Sequence, residues 1–140
     1  MATIPARVKG IDHVVLRVTD IDRTIAFYQD ILGLPLERIF DRIGLYQFRA
    51  GSSLIDVQPL KEGDTLAPPA ERGVEHVCLN IEGDLDEVLA ALAAQGITPS
   101  FGPLEVYGAH GFGTSFYLRD PDGYEIELKV GYARNPVRMP

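Results

Sequence analysis

Two of the three histidines in this chain stand 63 residues apart in matching surroundings. Gly10-Ile11-Asp12-His13-Val14-Val15-Leu16-Arg17-Val18 aligns position by position with Gly73-Val74-Glu75-His76-Val77-Cys78-Leu79-Asn80-Ile81. Both stretches alternate apolar with more polar residues, the signature of a strand with one buried face. Two carboxylates correspond in the same way, Asp56 in Leu54-Ile55-Asp56-Val57 and Glu127 in Glu125-Ile126-Glu127-Leu128. Alternation puts His13, Val15, Arg17, Asp56, Gln58, His76, Cys78, Asn80, Tyr117, Glu125, Glu127 and Lys129 on one sheet face. A single strand histidine is usually hydrogen-bonded structure; the coincidence of two with two acids points further. An approximate two-fold between the halves sets His13 opposite His76 and Asp56 opposite Glu127. Two imidazoles and one or two carboxylates are the ligand set of a borderline divalent metal with open coordination positions. Asp56, one methylene shorter than glutamate, either reaches the metal or stops behind it, and Gln58 competes for that place. Glu125 and Lys129 read as a surface pair or rim, and Cys78 as a small buried residue.

The elements that must position these side chains repeat as well. Asp20 caps a helix whose apolar residues Ile21, Ile25, Tyr28 and Ile31/Leu32 recur at helical spacing, and Gly33 stops it. Asp84 and Glu87 stand at capping-box spacing before Leu85, Val88, Leu89 and Leu92, with Gly96 as the stop. Leu45–Arg49 and Ser115–Arg119 are matching strands, and Leu36–Phe40 and Ile97–Phe101 supply one more strand each. Asp120-Pro121-Asp122-Gly123 is a turn signal. Each half is therefore βαβββ, giving an α+β fold of two modules, about 9–58 and 73–130, joined by the connector 59–72. Neither half has a sufficient core alone, so residues 1–140 form a single domain. The tail 131–140, with Arg134, Pro136, Arg138 and Pro140, lacks a core pattern and reads as a partner-wrapping arm or a frayed end.

Composition narrows the function. The chain has 140 residues and a formal charge of −7, without any Lys/Arg run, which argues against nucleic-acid binding. Its longest apolar stretch, Val88–Ala94, is far below the roughly 18–20 residues of a membrane span. No signal-peptide pattern opens the sequence, so the cytoplasm is the expected compartment. The single cysteine excludes an intrachain disulfide framework. Arg17 and Arg49 read as ion-pair partners rather than substrate anchors.

The paired modules, His13, His76 and Glu127, the run Ala26-Phe27-Tyr28 through Leu32-Gly33-Leu34, and Arg119-Asp120-Pro121-Asp122-Gly123 resemble the vicinal-oxygen-chelate superfamily. This is the glyoxalase/bleomycin-resistance/dioxygenase group, and the resemblance runs from Gly10 to Val130. It implies a half-barrel around one divalent metal (Ni, Zn, Mn or Fe(II)) held by His13, His76 and Glu127. Asp56 stands where glyoxalase-type members carry a fourth ligand, normally glutamate. The implied substrate is a small molecule chelated through two neighbouring oxygens, and the implied assembly is a homodimer, which can exchange modules between chains. The lead expectation is a glyoxalase-like lyase or isomerase. Gly108-Ala109-His110, Phe116-Tyr117, Asp120–Gly123 and Glu127 also fit the spacing of extradiol ring-cleavage dioxygenases, where residues matching His110 and Tyr117 contact a catechol-type substrate. A non-catalytic antibiotic-binding protein is the third class.

Overall fold

The computed structural model describes residues 3–131, so the tail from 132 onward lies outside the described residues. Two four-stranded mixed sheets carry the α+β architecture. The first module runs β1 (His13–Val18), α1 (Ile21–Ile25), β2 (Leu36–Phe40), β3 (Leu45–Ala50) and β4 (Ser53–Pro59). The second runs β5 (His76–Asn80), α2 (Leu85–Ala94), β6 (Phe101–Gly108), β7 (Gly111–Arg119) and β8 (Glu125–Val130). Strand orders are β1-β4-β3-β2 and β5-β8-β7-β6, with the β1–β4 and β5–β8 pairs parallel. The repeat in the sequence is thus a repeat in topology. Among the described residues, no helix is long and apolar enough to cross a membrane.

Local chemistry sets the boundaries. The Asp20 carboxylate accepts from the Arg23 amide at 3.1 Å, and that of Asp84 accepts from the Glu87 amide at 3.0 Å. Gly33 and Gly96 end the helices at φ +75° and +76°, a region that favours glycine. The first helix departs from the regular period. After α1 it widens into a π segment, Ala26–Ile31, in which the Leu32 amide bonds the Phe27 carbonyl five residues back at 3.0 Å. The wider turn lets the neighbours Phe27 and Tyr28 both be buried, at 5% and 0% exposure.

One expectation is corrected in the second module, and its glycine-rich segment takes a defined shape. The strand expected at Ile97–Phe101 begins only at Phe101, because Gly96 ends the helix and Pro99 has no amide for a ladder. The glycine-rich segment 108–113 is a tight hairpin between β6 and β7, with Gly108 paired to Gly111.

One core joins the modules. Leu16, Val18, Phe48 and Val57 from the first pack in the same cluster as Phe116, Leu118, Ile126 and Leu128 from the second. Burying such side chains contributes about 1.5–3 kcal/mol each, and dispersion holds the shared cluster at interior density. Polar contacts fix the angle between modules. The Tyr28 hydroxyl from the π segment donates to the Asp120 carboxylate at 2.7 Å, and the Tyr124 hydroxyl donates to the Arg17 carbonyl at 2.8 Å. The Thr19 hydroxyl reaches Asp122 at 2.5 Å. In the connector, Arg72 donates to the Asp122 carbonyl at 2.6 Å and stacks over the Tyr124 ring at 4.4 Å.

Candidate functional site

Each module builds the same small device on its inner sheet face. His13 opens β1 and His76 opens β5, and the residue before each is an acid. Asp12 bonds the Nδ1 of His13 at 2.6 Å, and Glu75 bonds the Nδ1 of His76. Both hydrogen bonds engage the inner nitrogen, so Nε2 is the atom each ring presents to a ligand. This is the orienting arrangement that metal-bound histidines use. The Asp12 bond, together with the charges of Asp56 and Asp12, raises the His13 pKa against the opposing pull of burial.

The carboxylates come from the central strands. Asp56 on β4 and Glu127 on β8 are 2% and 4% exposed, so both need donors. Gln47, opposite Asp56 in the β3–β4 register, donates its amide to both carboxylate oxygens at 3.2 and 3.3 Å. Tyr117, opposite Glu127 in the β7–β8 register, donates its hydroxyl to Glu127. That bond, burial and the Glu127 charge push the Tyr117 hydroxyl up to about 12. Burial works against an ionised Glu127, but hydrogen bonds from Cys78 and Tyr117 and the charges of His76 and Lys129 outweigh it, so its pKa is lowered.

His13 and His76 line one open cleft of about 1100 Å³, walled by apolar residues that include Val14, Leu32, Val77 and Leu79. The structure brings His13 toward Asp56, and His76 toward Glu127 and Tyr117. It does not bring the two pairs to a common point within one chain. Among the described residues, no three His, Cys, Asp or Glu side chains stand close enough to hold one metal ion. His110, at the β6–β7 turn, lines a recess of about 570 Å³ that shares Asn80 and Glu82 with the cleft and adds Gly83 and Val130.

Other residues differ from their sequence roles. Cys78 is exposed at the cleft rather than buried; desolvation and the neighbouring Glu127 push its thiol up to about 12, far from a thiolate nucleophile. Lys129 is 1% exposed and is not a surface partner of Glu125, which instead binds Arg119 at 3.0 Å. Gln58, expected to compete with Asp56, has its amide engaged elsewhere, donating to the Ile43 carbonyl at 3.1 Å. Arg49 is an ion-pair residue as expected, 2.7 Å from Glu37. Gln47 carries no signal of its own in the sequence, since its role appears only with strand register. The acids before the histidines do carry one, because Asp12-His13 and Glu75-His76 repeat together.

Paired four-stranded modules with acid-backed histidines on their inner faces define a duplicated α+β class built around clefts. The chain belongs to the Glyoxalase/Bleomycin resistance protein/Dioxygenase superfamily, whose model matches residues 10–128. It is 34% identical over 118 residues to a virulence protein of Salmonella typhimurium, covering 84% of this chain and 81% of that one. It is 28% identical over 124 residues to the lactoylglutathione lyase of Haemophilus influenzae, covering 83% and 88%. Among solved structures it is similar to an integron cassette protein of V. cholerae, at 32% identity and a TM-score of 0.70 over 91% of this chain and 98% of that one.

Proposed function

We propose that the protein is a divalent-metal-dependent, glyoxalase-like lyase or isomerase that binds a small substrate through two vicinal oxygens. We further propose that it works as a homodimer, in which the His13–Asp56 pair of one copy meets the His76–Glu127 pair of the other. The observation that carries this reading is the duplicated device: an imidazole held through Nδ1 by the preceding acid, beside a buried carboxylate with its own donor. One such pair is half of a four-ligand set, and two-fold symmetry supplies the complement.

The metal ion, when bound, lends Lewis acidity to two adjacent substrate oxygens. The chain's own residues do the rest. Asp12 and Glu75 fix the ring planes and tautomers of His13 and His76. Gln47 and Tyr117 hold the two carboxylates in place and lower the reorganisation required on binding. The carboxylate of Glu127, whose pKa is lowered, stays ionised at neutral pH and in this reading accepts a proton from one substrate carbon and returns it to the next; Asp56 has the same role where it is not coordinating.

Ring cleavage by an extradiol dioxygenase is the less favoured reading, because it asks His110 to share the substrate with Tyr117 and Glu127. His110 instead stands at the β6–β7 turn, where it lines a recess with Gly83, Val130 and Gly131 that includes neither Tyr117 nor Glu127. The test is direct. Purified protein is loaded with Ni(II), Zn(II), Mn(II) or anaerobic Fe(II) and offered a hemithioacetal and a catechol. Hemithioacetal isomerisation without oxygen uptake, lost together with metal retention in His76→Ala, supports the proposal. Oxygen-consuming catechol cleavage overturns it in favour of the dioxygenase. Metal-independent ligand binding with no turnover overturns it in favour of a sequestering protein.

A further inference from the structure

The two carboxylates stand in equivalent rows that run straight across their sheets. In the first module the register sets Arg38 on β2 beside Gln47 on β3, and Gln47 beside Asp56 on β4. In the second it sets Phe101 on β6 beside Tyr117 on β7, and Tyr117 beside Glu127 on β8. Residues directly paired across strands share a face, so Phe101 lies on the face that carries Glu127. The first module ends its row in an exposed arginine. The topology therefore does not demand an aromatic ring at this position.

Three features show what the second row is shaped for. Phe101 is 62% exposed, and a phenyl ring left in water forgoes the stabilisation of burial. It also ends an aromatic ladder that starts at the half-site: the Phe101 and Tyr117 rings lie 5.9 Å apart at 53°, and the Tyr117 and His76 rings 5.7 Å apart, edge to face. The edge strand β6 is built to hold the ring there. Its register shifts between Phe101 and Leu104, an irregularity of the kind that re-aims side chains beside active sites. Gly102, at φ +88°, brings β6 so close to β7 that a Cβ would stand 2.8 Å from the Ser115 carbonyl oxygen.

We propose that Phe101 is a specificity-determining residue, which packs against an uncharged aryl substituent of the substrate while the substrate's two oxygens lie beside Glu127. The inference rests on the proposed function and deepens it, because it makes the substrate an aryl compound. Strands β6 and β8 are two strand spacings apart, about 10 Å, a span that a chelating head and an attached ring cover by lying over Tyr117. At its exposure the Phe101 ring is reached from solvent without any rearrangement of the sheet. Stacked or edge-to-face contact between rings adds to the gain from apolar burial. The row Phe101, Tyr117, Glu127 and Cys78 holds one carboxylate and no cation, so the group it complements is neutral.

The test uses benzohydroxamate and acetohydroxamate, which share a chelating head of two neighbouring oxygens and differ by a phenyl against a methyl group. Both are titrated calorimetrically into Mn(II)-loaded wild type and Phe101→Ala. Wild type is expected to bind benzohydroxamate about tenfold or more tightly than acetohydroxamate. Phe101→Ala should weaken benzohydroxamate about 2–10-fold and leave acetohydroxamate unchanged. A wild type that does not prefer the aryl ligand, or a preference that is equal in both proteins, overturns the proposal. Because Phe101 is exposed, the variant should keep the wild-type denaturation midpoint and sedimentation; an assembly that dissociates in Phe101→Ala assigns the ring to a subunit contact and overturns it too. A metal-free arm separates the two readings. Failure to retain Mn(II) strikes the metal reading; saturation transfer from protein to the benzohydroxamate ring, lost in Phe101→Ala, then sustains the aryl subsite, and its absence overturns that as well.

Discussion

The two modules share a topology and divide its chemistry. At equivalent register positions the first carries Asp56, Gln47 and Gln58, and the second carries Glu127, Tyr117 and Lys129. The first set consists of a short acid with neutral amide donors. The second has a longer acid, a phenol and a buried cation. Their helices differ too: the first widens into a π segment that sends Tyr28 across to Asp120, while α2 is a regular helix. The scaffold thus fixes where an acid, a donor and a further polar group must stand. The side chains filling those places make the second module the more strongly polarised half.

The largest expected effect concerns the core the modules share. Phe48 and Phe116 are both 0% exposed, one in each module, and truncating either to alanine should cost about 3–5 kcal/mol. Because the cluster is continuous, each variant should lower a single common transition in chemical denaturation. Two separate transitions would show that the modules fold independently and would break the comparison at its base.

The next effect distinguishes the acids. On the proposed function, Glu127→Ala should reduce metal affinity by more than the roughly 10–100-fold that loss of an outer partner costs. Asp12→Asn and Glu75→Gln, which unpin the histidine rings, should each fall within that outer range, as calorimetric titration would show. Asp56→Ala weaker than Glu127→Ala sharpens the asymmetry, while equal losses erase it.

A smaller effect tests the link between modules. Tyr28→Phe removes a buried hydroxyl donor from Asp120, a carboxylate whose pKa is already raised by burial. The loss should be about 1.5–3 kcal/mol of stability, read from the denaturation midpoint.

The smallest effect depends on pH. The Glu127 pKa is lowered from 4.5, so its contribution to the metal-free fold is complete above that value and is lost as pH falls through the lower folded one. Glu127→Gln lacks this contribution. As pH falls below 4.5 it should therefore lose less stability than wild type, a difference that melting curves across the acid range measure.

Much of this was legible in the residues. The 63-residue offset between His13 and His76, the capping acids Asp20 and Asp84 and the stop glycines Gly33 and Gly96 are local signals that foretell both modules. The inner-face assignment of Asp56, Glu127 and Tyr117 follows from strict alternation, which survives folding because one face is buried. What was not legible depends on geometry between elements. The π segment has no pattern distinct from a helix at this length. Gln47 becomes a partner of Asp56 only through strand register. Lys129 looks like a rim residue until the glycine hairpin is seen to close against it. The separation of the two half-sites within one chain is set by how the modules pack, which no local spacing encodes.

The most direct measurement is subunit complementation of metal binding. One variant carries His13→Ala with Asp56→Ala, and the other carries His76→Ala with Glu127→Ala. Each alone should bind no divalent ion, because every site in its homodimer lacks one pair. Unfolding and refolding them together should restore one metal site per mixed dimer, built from the intact pair of each chain. Mixed protein that binds no more metal than either variant alone would contradict the shared site.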